Sequence, residues 1–241
     1  MSRKRYGRFF IGLSILAFAL TGCGTTASAP ASRPAKTQAK PTVSAPVGAS
    51  EQWKKPPKMT INPQKYYAAI IDTTAGSFEI ALFSHKDPVA ANNFIFLAQH
   101  KFYNNDEIFR VIKPFMFQTG SPENEPEGGP GYQWNGELPV PYPYAPGIVA
   151  MANTGNPNTN GSQFFVCTGP ESQSLNKSAI YTELGKVISG CATVQKIAAG
   201  TIKTNPLTGE DSLPIHPYYI EHIQIQSAAQ PFATSQESGS N

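Results

Sequence analysis

The stretch Asn153-Thr-Gly-Asn-Pro-Asn-Thr-Asn-Gly-Ser-Gln163-Phe-Phe165 runs a series of turn-forming residues directly into the apolar segment Phe164–Cys167. Gly, Asn and Pro each adopt turn geometry with little strain, so the first part reads as a loop. Phe164-Phe-Val-Cys167 reads as a core strand. The junction places polar side chains at the rim of that strand, where an extended peptide could be held. Upstream, Phe109-Arg110-Val-Ile-Lys-Pro-Phe115-Met116-Phe-Gln118 is a second apolar stretch, punctuated by one arginine and one glutamine.

The flanking sequence supplies the remaining elements. Tyr66–Asp72 and Ser77–Phe83 are rich in β-formers, and Thr73-Thr-Ala-Gly76 between them predicts a hairpin. Asp87-Pro88 predicts a helix start, with Asp as N-cap and Pro at the first helical position. Ala90, Phe94 and Leu97 then share one face of that helix. Further strands are expected at Ile108–Ile112, Phe115–Gln118, Gly147–Ala152, Leu184–Ile188 and Ile220–Ile225, and a second helix at Cys191–Ala199. Many short strands, two helices and no strand–helix–strand rhythm predict a mostly β fold. The expected architecture is a closed antiparallel β-barrel capped by two α-helices.

The 241 residues are 40% apolar and 15% charged, enough for a substantial core. Arg3, Lys4, Arg5 and Arg8 lead into an apolar run ending at Leu20, too short for a membrane span but fitting a signal peptide. Setting those four aside leaves 19 − 4 = 15 basic against 16 acidic side chains. Such a balance gives no electrostatic ground for binding nucleic acid. Leu20-Thr-Gly-Cys23 resembles the lipobox of bacterial lipoproteins, which implies a lipid-modified Cys23 and an extracytoplasmic protein anchored to a bacterial membrane. Residues 1–22 would then be the signal peptide and 23–62 a disordered Ala/Ser/Pro/Thr-rich tether. The folded domain is expected over 63–227, with a disordered tail over 228–241.

Taken in order, these motifs resemble the cyclophilins, the barrel-fold peptidyl-prolyl cis–trans isomerases. The resemblance rests on Phe109–Gln118, Gly128-Gly-Pro-Gly-Tyr132, Ala152-Asn153 with Asn158–Phe165, and Leu184-Gly-Lys-Val-Ile-Ser-Gly190, and it spans residues 66–227. It implies an enzyme acting on X–Pro bonds of exported or unfolded proteins, as a monomer and without cofactor. Arg110 and Gln118 match the catalytic positions. Phe115, Met116, Phe165 and Leu175 match the proline pocket, with Tyr181 standing nearest the place where the family usually has a histidine. Ala152, Asn153 and Gln163 match positions that hold the peptide chain. The family's rim tryptophan is replaced here by Ser174 or Gln173. A proline-peptide binding module or chaperone with little turnover is the alternative in another class.

Twisting an X–Pro amide costs about 18–20 kcal/mol because resonance is lost. No nucleophile, metal or proton relay is required. The proline nitrogen regains its lone pair on twisting, and a permanently charged guanidinium can donate to it there. Cys167 and Cys191 could pair outside the cytoplasm, but two buried, inert thiols are the expectation. His85, His100, His216 and His222 show no ligand spacing, so no metal site is expected.

Overall fold

The Thr73–Gly76 turn folds Tyr66–Thr73 (β1) onto Gly76–Leu82 (β2), in a register running from Tyr67 opposite Leu82 to Thr73 opposite Gly76. Gly76 sits at φ +127°, a conformation side chains disfavour, and a Cβ there would lie 2.9 Å from the Thr193 hydroxyl. The architecture comes from a computed structural model that describes residues 52–122, 124 and 127–234. The signal peptide, Cys23, most of the tether and the last residues of the tail lie outside the described residues.

The other strands are Arg110–Ile112 (β3), Met116–Thr119 (β4), Ile148–Met151 (β5), Phe164–Cys167 (β6), Glu183–Ser189 (β7), Ile202–Thr204 (β8), Asp211–Pro214 (β9) and Ile220–Ala228 (β10). Eight of the ten described strands form one antiparallel sheet in the order β10-β1-β2-β7-β5-β6-β4-β3. The expected closed barrel is not formed as a continuous ladder. Among the described residues, the two ends of the sheet meet in a short seam just before β3 and at the start of β10. There Glu107 bridges Tyr219, and backbone bonds run from Asn105 N–H to Ile220 O, Ile220 N–H to Asp106 O and Ile108 N–H to Tyr218 O. The seam stops at Tyr218 because the next residue on that side is Pro217, which has no N–H to continue a ladder. The pair β8–β9 makes a separate small sheet packed against β3. Neither β8, β9 nor the 3₁₀ helix Pro170–Lys177 was expected from the hydrophobic pattern.

Strand alternation divides the apolar residues between two faces. Phe78, Ile80, Phe117, Val149, Phe164 and Val166 join the main core with the helices Pro88–Gln99 (α1) and Cys191–Ala198 (α2). Met116, Ile148, Ala150, Phe165 and Cys167 form a second cluster. Cys167 is buried, and burial pushes its thiol up to about 12. Cys191 is an exposed free thiol, so the expectation that both are buried fails there, because Cys191 opens α2 at its solvent side.

Residues 52–62, the end of the expected tether, are packed on the domain. Trp53 stacks edge-on against Phe96 at 5.1 Å, and its backbone N–H donates to Pro130 O at 2.9 Å. Asn92 of α1 fixes the same stretch, accepting from Thr60 N–H and donating to Lys58 O. One aromatic in a polar segment is enough to dock it when a matching apolar groove exists.

Helix α1 starts at Pro88 as expected, but Asp87 makes no side-chain cap. Glu137 caps instead, its two oxygens accepting from Val89 N–H and Ala90 N–H at 2.9 Å each. Asp87 is left 3% exposed, with Oδ2 unpartnered. Burial, then repulsion from Glu137 and Glu183, raises its carboxyl to about 8. Burial likewise raises Glu183 to about 7. A carboxyl whose folded pKa exceeds its unfolded value contributes stability below the unfolded pKa and loses it as pH rises toward the folded one. Stability is therefore expected to fall between pH 4 and 8. Asp87→Asn should flatten that fall and raise the thermal midpoint by several degrees at pH 8, leaving it little changed at pH 4, as read by calorimetry across pH.

Candidate functional site

Pairing of β3 with β4 sets Arg110 directly opposite Gln118. Pairing of β4 with β6 sets Gln118 opposite Phe165 and Met116 opposite Cys167. The strand period of two therefore points Met116, Gln118 and Phe165 to one face and Phe117 and Phe164 to the other. Thr168 N–H bonds Phe115 O at 2.9 Å, which seats the Phe115 backbone at the end of β6. A cavity of about 1300 Å³ lies over this face. All ten described residues named from the sequence line it: Arg110, Phe115, Met116, Gln118, Ala152, Asn153, Gln163, Phe165, Leu175 and Tyr181.

The apolar part is floored by Met116 and Phe165, 2% and 5% exposed. Tyr181 meets Phe165 edge-to-face at 5.4 Å and 89°. The fully buried Tyr144 holds Tyr181 in place, its hydroxyl donating to Tyr181 O at 2.6 Å and accepting from Tyr181 N–H at 3.0 Å. Asn176, in the 3₁₀ helix that carries Leu175, is tied to Tyr144 through two bonds, 2.8 and 3.0 Å. Leu175 and Tyr181 thus come from separate segments fixed to one buried tyrosine.

The polar part is a chain of side chains. Arg110 Nη1 donates to Gln118 Oε1 at 2.9 Å. Gln118 Nε2 donates to Gln163 Oε1 at 2.7 Å, and Gln163 Nε2 to Gly128 O at 2.7 Å. The glycine loop Gly128–Tyr132 is thereby joined to the strands, and its far end is held by Tyr132 Oη donating to Asn93 Oδ1 at 2.7 Å. Asn153 commits its side chain to backbone, donating to Ile180 O in the segment before β7 and accepting from Gly155 N–H in its own loop, both at 2.9 Å. Ala152 N–H is engaged by Gln163 O at 2.9 Å.

One partner was missed by sequence reasoning. Glu210 receives Arg110 Nε at 2.7 Å and Nη2 at 2.8 Å, a bidentate ion pair across a hundred residues. The hydrogen bond from Arg110 first, offset by burial and aided by Ser212, holds its carboxyl below the usual range. The signal that could have exposed it was turn chemistry, Asn205-Pro206 and Thr208-Gly209 between two short β-prone runs. Among the described residues, no group of three or more His, Cys, Asp or Glu is placed to hold a metal ion.

Residues 68–225 match the family model described as cyclophilin type peptidyl-prolyl cis-trans isomerase/CLD. The chain is 40% identical over 144 residues to a peptidyl-prolyl cis-trans isomerase-like 1 of Aspergillus oryzae, covering 58% of this chain and 84% of that protein. It is 35% identical over 170 residues to a peptidyl-prolyl cis-trans isomerase-like 3 of Gallus gallus, covering 69% and 99% respectively. A crystal structure of a Cryptosporidium parvum cyclophilin type peptidyl-prolyl cis-trans isomerase in the presence of the dipeptide Ala-Pro superposes with a TM-score of 0.59 at 30% identity, covering 67% of this chain and 99% of that one. These relatives are eukaryotic, which overturns the expected placement as a lipid-anchored protein of a bacterial membrane. That placement rested on the first 23 residues, the basic stretch Arg3–Arg8, the apolar run to Leu20 and Leu20–Cys23, which lie outside the residues 68–225 that the family model matches.

Proposed function

The chain belongs to the cyclophilin-type peptidyl-prolyl cis–trans isomerase family and has that activity, and from this premise we propose that Arg110 is the group that stabilises the twisted X–Pro amide. The observation that carries the reading is the position of Arg110 at the lip of the apolar cavity floored by Met116 and Phe165. Proline-containing segments of unfolded or extended chains are the substrate class, the dipeptide Ala-Pro of the Cryptosporidium structure being its smallest example.

In this reading the proline ring enters between Phe115, Met116, Phe165, Leu175 and Tyr181, where desolvation of its methylenes contributes affinity. The residues flanking the proline run along the Ala152–Asn153 edge, and with Ala152 N–H already engaged, the carbonyl is the group left to meet them. Gln118 orients Arg110, since its Oε1 accepts from the guanidinium while its Nε2 is bonded to Gln163. As the amide twists, its nitrogen becomes a hydrogen-bond acceptor that neither planar ground state offers. A donor fixed there binds the transition state more tightly than the substrate, which is what acceleration requires. No side chain changes protonation in this scheme.

The test is Arg110→Lys, which keeps the charge and removes the planar fork. Loss of about 100-fold in kcat/KM on an Ala-Pro peptide is expected, because an ammonium cannot make the Gln118 and Glu210 contacts and still reach the nitrogen. Near-wild-type turnover in that variant would contradict the assignment.

A further inference from the structure

Arg110 stands on the edge strand β3 with its side chain 31% exposed, where a long, flexible chain would ordinarily sample several rotamers. Its surroundings prevent this. Of the five N–H donors of a guanidinium, Nε and one on Nη2 go to Glu210 and one on Nη1 goes to Gln118. The two bonds to one carboxylate fix the plane of the group, and the bond to Gln118 fixes its rotation from the other side.

Glu210 is itself presented by pinned backbone. It closes the turn between β8 and β9, where Gly209 adopts φ +73°. Asn205 N–H donates to Glu210 O at 2.7 Å, and Gly209 N–H donates to Asn205 O at 2.8 Å. Glu210 N–H donates to Thr208 Oγ1 at 3.3 Å. Thr208 and Glu210 line the same cavity as Arg110. The carboxylate also partly neutralises the cation, which would weaken a bare electrostatic donor. Its presence is therefore better explained by the geometry it imposes.

We propose that Glu210, carried on the β8–β9 turn, is a positioning residue that holds the Arg110 guanidinium plane so that its two remaining N–H groups face the proline nitrogen. The proposal rests on the reading of Arg110 as the catalytic group. It predicts that the turn matters for kcat and hardly for substrate binding, although it lies outside the main sheet. A purely structural ion pair tying the turn to β3 would do the reverse, affecting thermal stability and leaving turnover alone.

The experiment compares the full chain with Glu210→Ala, Glu210→Gln, Arg110→Ala and the Arg110→Ala/Glu210→Ala double variant on an Ala-Pro peptide, with the Arg110 Nε–H resonance followed by NMR. Glu210→Ala is expected to lower kcat about tenfold, with KM within about twofold, as misplaced catalytic groups do. Its Nε–H signal should be lost to rapid solvent exchange while the amide spectrum of the sheet persists. Glu210→Gln, which keeps one acceptor, should restore kcat to within about threefold and bring the signal back. The double variant should be no slower than Arg110→Ala alone. Unchanged or higher kcat in Glu210→Ala, with Arg110→Ala inactive, overturns the role of Glu210. Retained activity in Arg110→Ala overturns the reading of Arg110 instead, so the two failures are distinct.

Discussion

Arg110→Ala is expected to reduce kcat/KM on an Ala-Pro peptide by about 10²–10³-fold, the range seen when one transition-state hydrogen-bond donor is removed. The loss should fall on kcat, with KM within about threefold of wild type, because the proposed seat of the proline ring is the apolar wall of Phe115, Met116 and Phe165 that lines the cavity, not the guanidinium. Little stability should be lost, since the Arg110–Glu210 pair is roughly one-third exposed on both sides and such pairs contribute at most ~1 kcal/mol. Steady-state kinetics with a thermal melt on the same sample separates the two effects. An unfolded variant would show itself in the melt and could not be mistaken for a catalytic defect.

The second large effect distinguishes adjacent residues of β6. Phe164 is fully buried in the main core and meets Phe94 and Tyr103 edge-to-face at 5.5 and 5.7 Å. Phe165 points to the opposite face and floors the cavity. Phe164→Ala should therefore lower stability by about 3–5 kcal/mol through the cavity it leaves, with kcat per folded molecule retained below the melting transition. Phe165→Ala should raise KM at least about tenfold, because the proline ring loses an apolar wall. Denaturant titration and kinetics on both variants check the pair. Equal effects on KM would show that β6 does not divide core from site as its register implies.

Much of this was legible because strand periodicity and turn chemistry are local. The hairpin at Thr73–Gly76, the strand Phe164–Cys167 and the helix opening at Pro88 all stand where residue types place them. The ten described site residues gather at one cavity because they lie in motifs whose order the family resemblance already implied. What escaped was set by long-range geometry. Glu137 replaces Asp87 as the cap of α1 from a loop 47–48 residues ahead in the chain. Glu210 meets Arg110 across a hundred residues, from a turn with no hydrophobic pattern. Closure of the sheet was not legible either, because the seam pairs residues 105–108 with 218–220, more than a hundred positions apart and flanked by Pro217. Trp53 docked a polar segment that composition alone would leave free. The bacterial anchor was read from the first 23 residues alone, a basic stretch and an apolar run ending in Leu20–Cys23, with no part of the folded domain to support it.

The most direct measurement is the exchange rate between cis and trans forms of an Ala-Pro peptide while bound, obtained from NMR line shapes with wild-type protein and with Arg110→Ala. The account predicts fast on-enzyme exchange in the wild type, exchange slowed at least about 100-fold in the variant, and peptide affinity changed by no more than about threefold. Equal on-enzyme rates in the two proteins, or a variant that loses affinity instead of exchange, would contradict the claim that Arg110 acts on the twisted amide.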